Sequence, residues 1–365
     1  MRVVLPTDSA KITKLSAAVI PKDQLTISVI MPVRNEAEFI QSTLSQLLEQ
    51  EYDANRFEIL VVDGQSTDGT PALVRQLMRK HGNVHLLENP KHLSSAARNI
   101  GIKQAKSDVV LIIDGHCEIP TRRLLSNVAN AFDKSKADCL GRPQSLNVEK
   151  ASTLQQAIAA ARNSRLGHHP ESFIYSNEPQ FVPAKSVGVA YRREVFEKIG
   201  LFDEAFDAHE DGELNHRLDQ AGLSCYFTPE IAVKYIPRGN LRSLFNQMAR
   251  YGRGRVRFSH KHAGTWSLSA LIPALFVIFV LLGGLLALAL PTISNIYVAG
   301  LGIYALVAAT FTVVISIQER KPSFILWLPL VFFAVHSGAG AGILAEKIAP
   351  QSAKGPPDAT HFPVA

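Results

Sequence analysis

From residue 262 to residue 318 the chain contains no Asp, Glu, Lys or Arg. A soluble surface does not run that far without charge, so this stretch constrains the fold more than any other feature and reads as membrane-embedded helix. Of the 70 charged residues in the 365-residue sequence, 63 lie in residues 1–261 and 7 in residues 262–365. The chain therefore divides into a charged globular part and an apolar part.

The net charge of +6 is just as uneven. Residues 1–230 sum to −3, residues 231–261 hold eight basic and no acidic residues, and the remainder sums to +1. A basic stretch beside apolar helices attracts anionic headgroups and marks their cytoplasmic end, so the positive charge gives no reason to expect a nucleic-acid partner. Cys117, Cys139 and Cys225 are odd in number and lack CxxC spacing, which argues against a disulfide framework or a zinc site. Residues 1–25 have no uninterrupted apolar core of the signal-peptide kind and are expected to form a flexible arm.

Continuous apolar runs at 27–33, 57–63, 84–88 and 109–114 alternate with helically patterned segments at 36–50, 70–80, 94–106 and 121–134. That alternation predicts an α/β domain with a mostly parallel sheet covered on both faces. Ligands of such sheets sit at the carboxyl ends of the strands. No G-x-G-x-x-G opens the first helix and no G-x-x-x-x-G-K-[ST] occurs, which sets aside dinucleotide-dependent oxidoreductases and P-loop NTPases.

Three groups of residues could carry chemistry. Asp63, Asp68, Asp114 and His116 follow strands, where carboxylates bind a divalent ion or accept hydrogen bonds from a ribose or base; Asp63-Gly64 and Asp114-Gly115 could equally be turn formers. Asp207, Glu210, Asp211 and Glu213 crowd four carboxylates together, which suits a helix N-terminus, a cation or a substrate hydroxyl. A carboxylate held among like charges titrates higher, making Asp211 or Glu210 a candidate general base. The run from Gln247 to Arg257 reads as an interfacial helix, with some arginines on lipid phosphates and one or two on a diphosphate.

Apolar segments at 268–290, 295–317 and 322–345 are each long enough to cross about 30 Å of hydrocarbon. The third is interrupted by Ser337-Gly338-Ala339-Gly340-Ala341-Gly342, small residues that let helices pack closely. Basic residues in 231–261 and at Arg320-Lys321 should face the cytoplasm and the uncharged 291–294 the outside, so three crossings would leave the tail at 347–365 outside.

At these residues the chain resembles the family 2 inverting glycosyltransferases over about residues 27–257. Val29-Ile30-Met31-Pro32-Val33-Arg34-Asn35-Glu36 is similar to the family's opening strand and turn, and Val61-Val62-Asp63-Gly64-Gln65-Ser66-Thr67-Asp68-Gly69-Thr70 to its second. Ala96-Ala97-Arg98-Asn99-Ile100-Gly101, Val187-Gly188-Val189-Ala190-Tyr191-Arg192-Arg193, Glu210-Asp211 with Arg217, and Gln247-x-x-Arg250-Tyr251 follow in the family's order. The chain departs from it at Asp63-Gly64, where the family has Asp-Asp, at Asp114-Gly115-His116, where it has Asp-x-Asp, and at Tyr251, where it has Trp. A neutral imidazole at His116 can still ligate Mn²⁺. With the Tyr-Gly-x-Gly-Arg run and the short apolar C-terminal region, the chain looks most like the succinoglycan-type glucosyltransferases.

The resemblance implies a nucleotide-diphospho-sugar (GT-A) domain at 26–235, cytoplasmic at a bacterial inner membrane. A basic juxtamembrane segment at 236–266 and a membrane domain at 267–346 would follow. It implies transfer of a sugar, expected to be glucose, from a UDP-linked donor to a polyprenyl-diphosphate-linked sugar in surface-glycan assembly, alongside other assembly enzymes. Donor-binding roles fall to Pro32, Arg34, Glu36, Asp63, Arg98 and Asp114, and acceptor- or diphosphate-binding roles to Gly188, Gln247, Arg250 and Tyr251. Asp114 and His116 would hold Mn²⁺ or Mg²⁺, and Asp211 with Glu210 would be catalytic. Residues 141–186, with His168 and His169, are expected to shape the acceptor pocket. The rival readings are a polyprenyl-phosphate sugar transferase, a processive polysaccharide synthase and a non-catalytic nucleotide-sensing membrane protein.

Overall fold

The computed structural model describes residues 25–350 other than 150, 168–172, 174, 175, 238 and 267. The expected arm before Leu25, His168 with His169, and the tail beyond residue 350 lie outside the described residues.

The four apolar runs form β1 (Ile27–Val33), β2 (Phe57–Asp63), β3 (Val84–Glu88) and β4 (Val109–Ile112), hydrogen-bonded in parallel in the order β3-β2-β1-β4. Between them run α1 (Ile40–Leu48), α2 (Thr70–Met78) and α3 (Ser94–Gln104). Val29, Met31, Ile59 and Leu111 join one core with α1, while Ile30, Leu60, Val62 and Val110 join a second core with α3. Burial on both faces is why these runs are continuously apolar rather than alternating, each side chain contributing about 1.5–3 kcal/mol. Gly101 lets α3 settle on β1, since a Cβ there would lie 2.5 Å from Ile30 Cγ2.

The rest of the domain uses shorter elements: β5 (Cys117–Glu118), α4 (Leu124–Ser135), β6 (Cys139–Gly141), β7 (Gln144–Leu146), α5 (Thr153–Arg162), β8 (Gln180–Phe181), β9 (Gly188–Arg192), α6 (Arg193–Ile199), α7 (Glu210–Gln220), β10 (Cys225–Phe227) and β11 (Val233–Tyr235). The main sheet continues β4-β9-β6-β10-β8, with β9 antiparallel to both neighbours, and β5-β11-β7 form a small second sheet. A capping box between Ser152 and Gln155 starts α5.

Helix α8 (Leu241–Lys261) leads to α9 (Leu268–Ile278), a π-helical turn at Phe279–Gly283, α10 (Gly284–Ala289), α11 (Pro291–Gln318) and α12 (Phe324–Ile348). Three helical segments, Ala270–Ala289, Pro291–Gln318 and Phe324–Ile348, are long and apolar enough to cross a membrane. Residues 291–294, expected as a connecting loop, are instead the first turn of α11, because Pro291 at its first position is already set for helix. The small residues of α12 do bring backbones together: a Cβ at Gly342 would lie 2.0 Å from Ala249 O on α8, and one at Gly340 2.0 Å from Pro273 O on α9.

The basic run on α8 is mostly turned to protein, not to lipid. Arg253 and Arg257 pair with Glu346, Arg257 also with Asp207, and Lys261 with Asp203 and Glu213, while Arg255 donates to Thr265 O. These cations join the globular part to the apolar helices.

Candidate active site

The loops that end β1, β2 and β4 meet at one edge of the sheet. Gly115 follows β4, and a Cβ there would lie 2.9 Å from Val33 Cγ1 and 3.1 Å from Glu36 Cγ, so close approach to the β1 turn requires the glycine of Asp114-Gly115-His116. His116 Nδ1 lies 2.8 Å from Glu36 Oε1. An imidazole that gives its Nδ1–H to a carboxylate carries its lone pair on Nε2. The β1 and β2 turns are laced together by Asn35 N donating to Ser66 Oγ, Glu36 N to Thr70 Oγ1 and Ala37 N to Asp68 Oδ2. Asn35 and Gln65 sit at φ of 56° and 58°, a left-handed conformation costly for side chains other than glycine and often found at functional turns.

The four crowded carboxylates separate by partner. Asp207 Oδ1 is 2.6 Å from Arg257, and Glu210 is 3.1 Å from Arg98 with both side chains nearly buried. Glu213, fully buried, meets Arg217, Lys261 and His262 at 2.8, 2.7 and 3.1 Å. Asp211 alone is exposed, its Oδ1 accepting from Gly212 N at 2.7 Å. Burial pushes the Glu210 carboxyl up, against the pull of Arg98. Burial acts to lower Arg98, but Glu210, Asp114 and Asp211 together hold its guanidinium above the ordinary range.

Burial also acts to raise Glu213, yet Arg217, Lys261 and His262 bring it down to about 2. A carboxylate depressed in the fold contributes stability that is present above its unfolded value and lost as pH falls through the folded one. Unfolding followed by circular dichroism should therefore show stability falling between about pH 4.5 and 2. Glu213→Gln should flatten that fall; an unchanged slope would detach Glu213 from it.

Asp114, His116, Arg98, Gly188, Glu210, Asp211, Gln247, Arg250 and Tyr251 line one cavity of about 340 Å³. Pro32, Arg34, Glu36 and Asp63 do not line it; they stand in the β1 and β2 strands and turns beside it, Glu36 touching it through His116. The Asp63 carboxylate is occupied by Ser66, accepting from its Oγ at 2.6 Å and its N at 3.1 Å. Gly188 is tight for an internal reason as well, since a Cβ would lie 2.6 Å from Asn215 Oδ1.

Several lining residues carry no sequence signal. Arg142, 1% exposed, follows the three-residue β6 and donates to Ile112 O and Tyr235 Oη, and its Nε and Nη1 have no hydrogen-bond partner among the described residues. His209, at φ 68°, and Arg162 on α5 also line the cavity. Among the described residues no group of three or more His, Cys, Asp or Glu could hold a metal ion. Asp114 and His116, an oxygen and a nitrogen donor of kinds that bind divalent ions, line the same cavity.

The family profile described as Glycosyl transferase family 2 matches residues 28–200. Succinoglycan biosynthesis protein ExoA of Rhizobium meliloti is 30% identical over 305 residues, covering 82% of this chain and 89% of the relative. A Methanococcus voltae dolichyl N-acetyl-alpha-D-glucosaminyl phosphate 3-beta-D-2,3-diacetamido-2,3-dideoxy-beta-D-glucuronosyltransferase is 28% identical over 319 residues, covering 85% and 93%. Among solved structures, mannosyltransferase PcManGT from Pyrobaculum calidifontis, in complex with GDP-Man and Mn²⁺, shares the fold with a TM-score of 0.54 over 90% of each chain at 20% identity. A mostly parallel GT-A sheet, a polar cavity at its strand ends and a relative matched over most of both lengths lead to one conclusion: the chain is a glycosyltransferase and belongs to glycosyltransferase family 2.

Proposed function

We propose that the protein transfers one hexose, glucose, from a UDP-linked donor to a sugar carried on a membrane-bound polyprenyl diphosphate, with inversion, in surface-glycan assembly. The observation that carries this reading is the composition of the cavity. Asp114, His116 and Arg98 stand with the exposed Asp211 and with Gln247, Arg250 and Tyr251 of α8, the helix that joins the apolar region. The name of the Methanococcus voltae relative, a transferase acting on a dolichyl-phosphate-linked sugar, supports the same acceptor class.

In this reading Arg98, Arg142 and Arg250 bind donor phosphate and sugar oxygens. Among the described residues, Nε and Nη1 of Arg142 and Nε of Arg98 lack a hydrogen-bond partner, and they are buried donors that such oxygens would satisfy. The β1 and β2 turns, with Pro32, Arg34 and Asp63, cradle the nucleoside, and Gly188 borders the acceptor. Asp211 takes the proton of the acceptor hydroxyl as its oxygen forms a bond to the anomeric carbon; the bond from that carbon to the diphosphate breaks, and its electron pair leaves on the diphosphate. One displacement inverts the centre. Asp114 and His116 would hold Mn²⁺ or Mg²⁺, which when bound offsets charge on the leaving diphosphate.

Purified full-length protein given UDP-[¹⁴C]glucose and lipid-linked oligosaccharide should add a single sugar, read by mass spectrometry of the lipid product. Long polymer would instead assign a processive synthase, and label on polyprenyl phosphate itself a lipid-phosphate transferase. His116→Ala should weaken metal activation by about 10–100-fold. Full activity in excess chelator would remove the metal from this scheme.

A further inference from the structure

Apolarity and length make α12 look like the last crossing, but its contacts do not suit a helix that leaves the catalytic side. We infer that α12 does not cross the bilayer: it lies with α8 along the leaflet on the catalytic side, as a platform resting on lipid, and the chain crosses only as the hairpin of α9–α10 and α11.

Both ends of α12 are held by the globular part. At its start Lys321 Nζ lies 2.8 Å from Gln156 Oε1 on α5, and Phe324, 1% exposed, packs with Ala157 and Ile158 of that helix. Helix α5 is on the catalytic side, because its Ile158 and Arg162 line the same cavity as Asp114 and Asp211. In the middle, His336 Nε2 is 3.0 Å from Leu166 O, just beyond α5. At its end Glu346 pairs with Arg253 and Arg257, and Arg257 reaches Asp207, which also lines that cavity. A helix of 25 residues is about 37 Å long, so one that spanned would carry one end to the far surface, beyond the reach of these partners.

The register with α8 supports the same geometry. A Cβ at Gly338 would lie 2.6 Å from Phe245 O, one at Gly342 would lie 2.0 Å from Ala249 O, and Glu346 meets Arg253 at 3.2 Å. Each helix advances four residues between contacts, so the two run side by side in the same direction. Helix α8 carries Arg250, Arg253, Arg255 and Arg257, which exclude it from hydrocarbon, and residues 338–346 of α12 share its level. The remaining 324–337 would extend about 21 Å, short of a hydrocarbon core of about 30 Å.

Exposure identifies lipid as the partner of the outer face. No residue from 334 to 346 is exposed, whereas Ile325, Leu326, Leu330, Phe333 and Ile348 are 46–83% exposed and apolar, as are many side chains of α9–α11. One face of α12 is thus covered by protein, and the other presents isolated apolar side chains. The opposite face of α8 presents Gln247, Arg250 and Tyr251 to the cavity, so the platform sets the distance between cavity and bilayer.

Single cysteines at Thr292, in the first turn of α11 at the hairpin tip, and at Pro350, just past α12, test this in intact cells with a membrane-impermeant maleimide. The three native cysteines are buried. Thr292→Cys should react in intact cells and Pro350→Cys only after permeabilisation. Alkaline phosphatase fused after Ala365 of the full chain should be inactive. Labelling of Pro350→Cys in intact cells, or an active fusion, would show that α12 crosses; protection of Thr292→Cys would show that the hairpin does not. Any of these overturns the inference.

Discussion

Asp211→Asn is expected to lower kcat by about 10²–10⁴-fold, the range lost with a positioned general base, while leaving donor affinity unchanged. Of the four carboxylates near the start of α7, Asp207, Glu210 and Glu213 are committed to Arg257, Arg98 and the Arg217, Lys261 and His262 group. Asp211 is exposed in the cavity and held by one local bond from Gly212 N, which an asparagine oxygen can also accept. The substitution therefore removes proton affinity with little change of shape. Glu210→Gln serves as contrast, because its carboxylate is tied to Arg98 and its loss should appear in the unfolding midpoint. Single-turnover measurements with donor saturating would separate the two variants. Turnover of Asp211→Asn within tenfold of the parent would remove Asp211 as the base.

The sequence lists these four carboxylates but says nothing of their partners, because Arg98 lies on α3 and Arg257 and Lys261 on α8, each distant in the chain. A count of like charges suggests mutual repulsion; the fold answers it with one cation group for each of three. The same limit explains the basic run. Charge counting reads 231–261 as facing lipid, whereas Arg253, Arg257 and Lys261 bond to Glu346, Asp207, Asp203 and Glu213. What was legible rests on long, unbroken patterns. The bounds of β1, β2 and β3 match the apolar runs at 27–33, 57–63 and 84–88, since burial on both faces leaves no polar interruption. The three-residue strands β6, β10 and β11 are too short for a pattern, and Arg142, fixed at the end of β6, has no motif to announce it. For α12, hydropathy gives the length and apolarity that the structure shows, but not which of its faces protein covers.

The Arg98–Glu210 pair should give the largest stability effect. Their side chains are 12% and 10% exposed, and Arg98 also lies over the Phe202 ring at 5.2 Å, so the pair ties α3 to the start of α7 beside Asp211. Arg98→Leu leaves a nearly buried carboxylate without its cation, a loss that typically costs about 3–5 kcal/mol. Its pH dependence has a definite sign. The Glu210 carboxyl is already raised by burial, and Arg98 is the largest influence opposing that. Without Arg98 the folded form favours the neutral acid still more, so its stability is fully present below the unfolded value of about 4.5 and lost as pH rises through the higher folded value. The deficit of Arg98→Leu relative to the parent should thus be small near pH 4.5 and grow towards neutrality. Adding Glu210→Leu should restore most of it, because an apolar pair of similar volume can replace a buried ion pair at little cost. Denaturant unfolding of the four proteins of this cycle at several pH values reads both effects. A deficit independent of pH, or a double variant no better than the single one, would mean that lost packing against Phe202, and not the uncompensated charge, accounts for the loss.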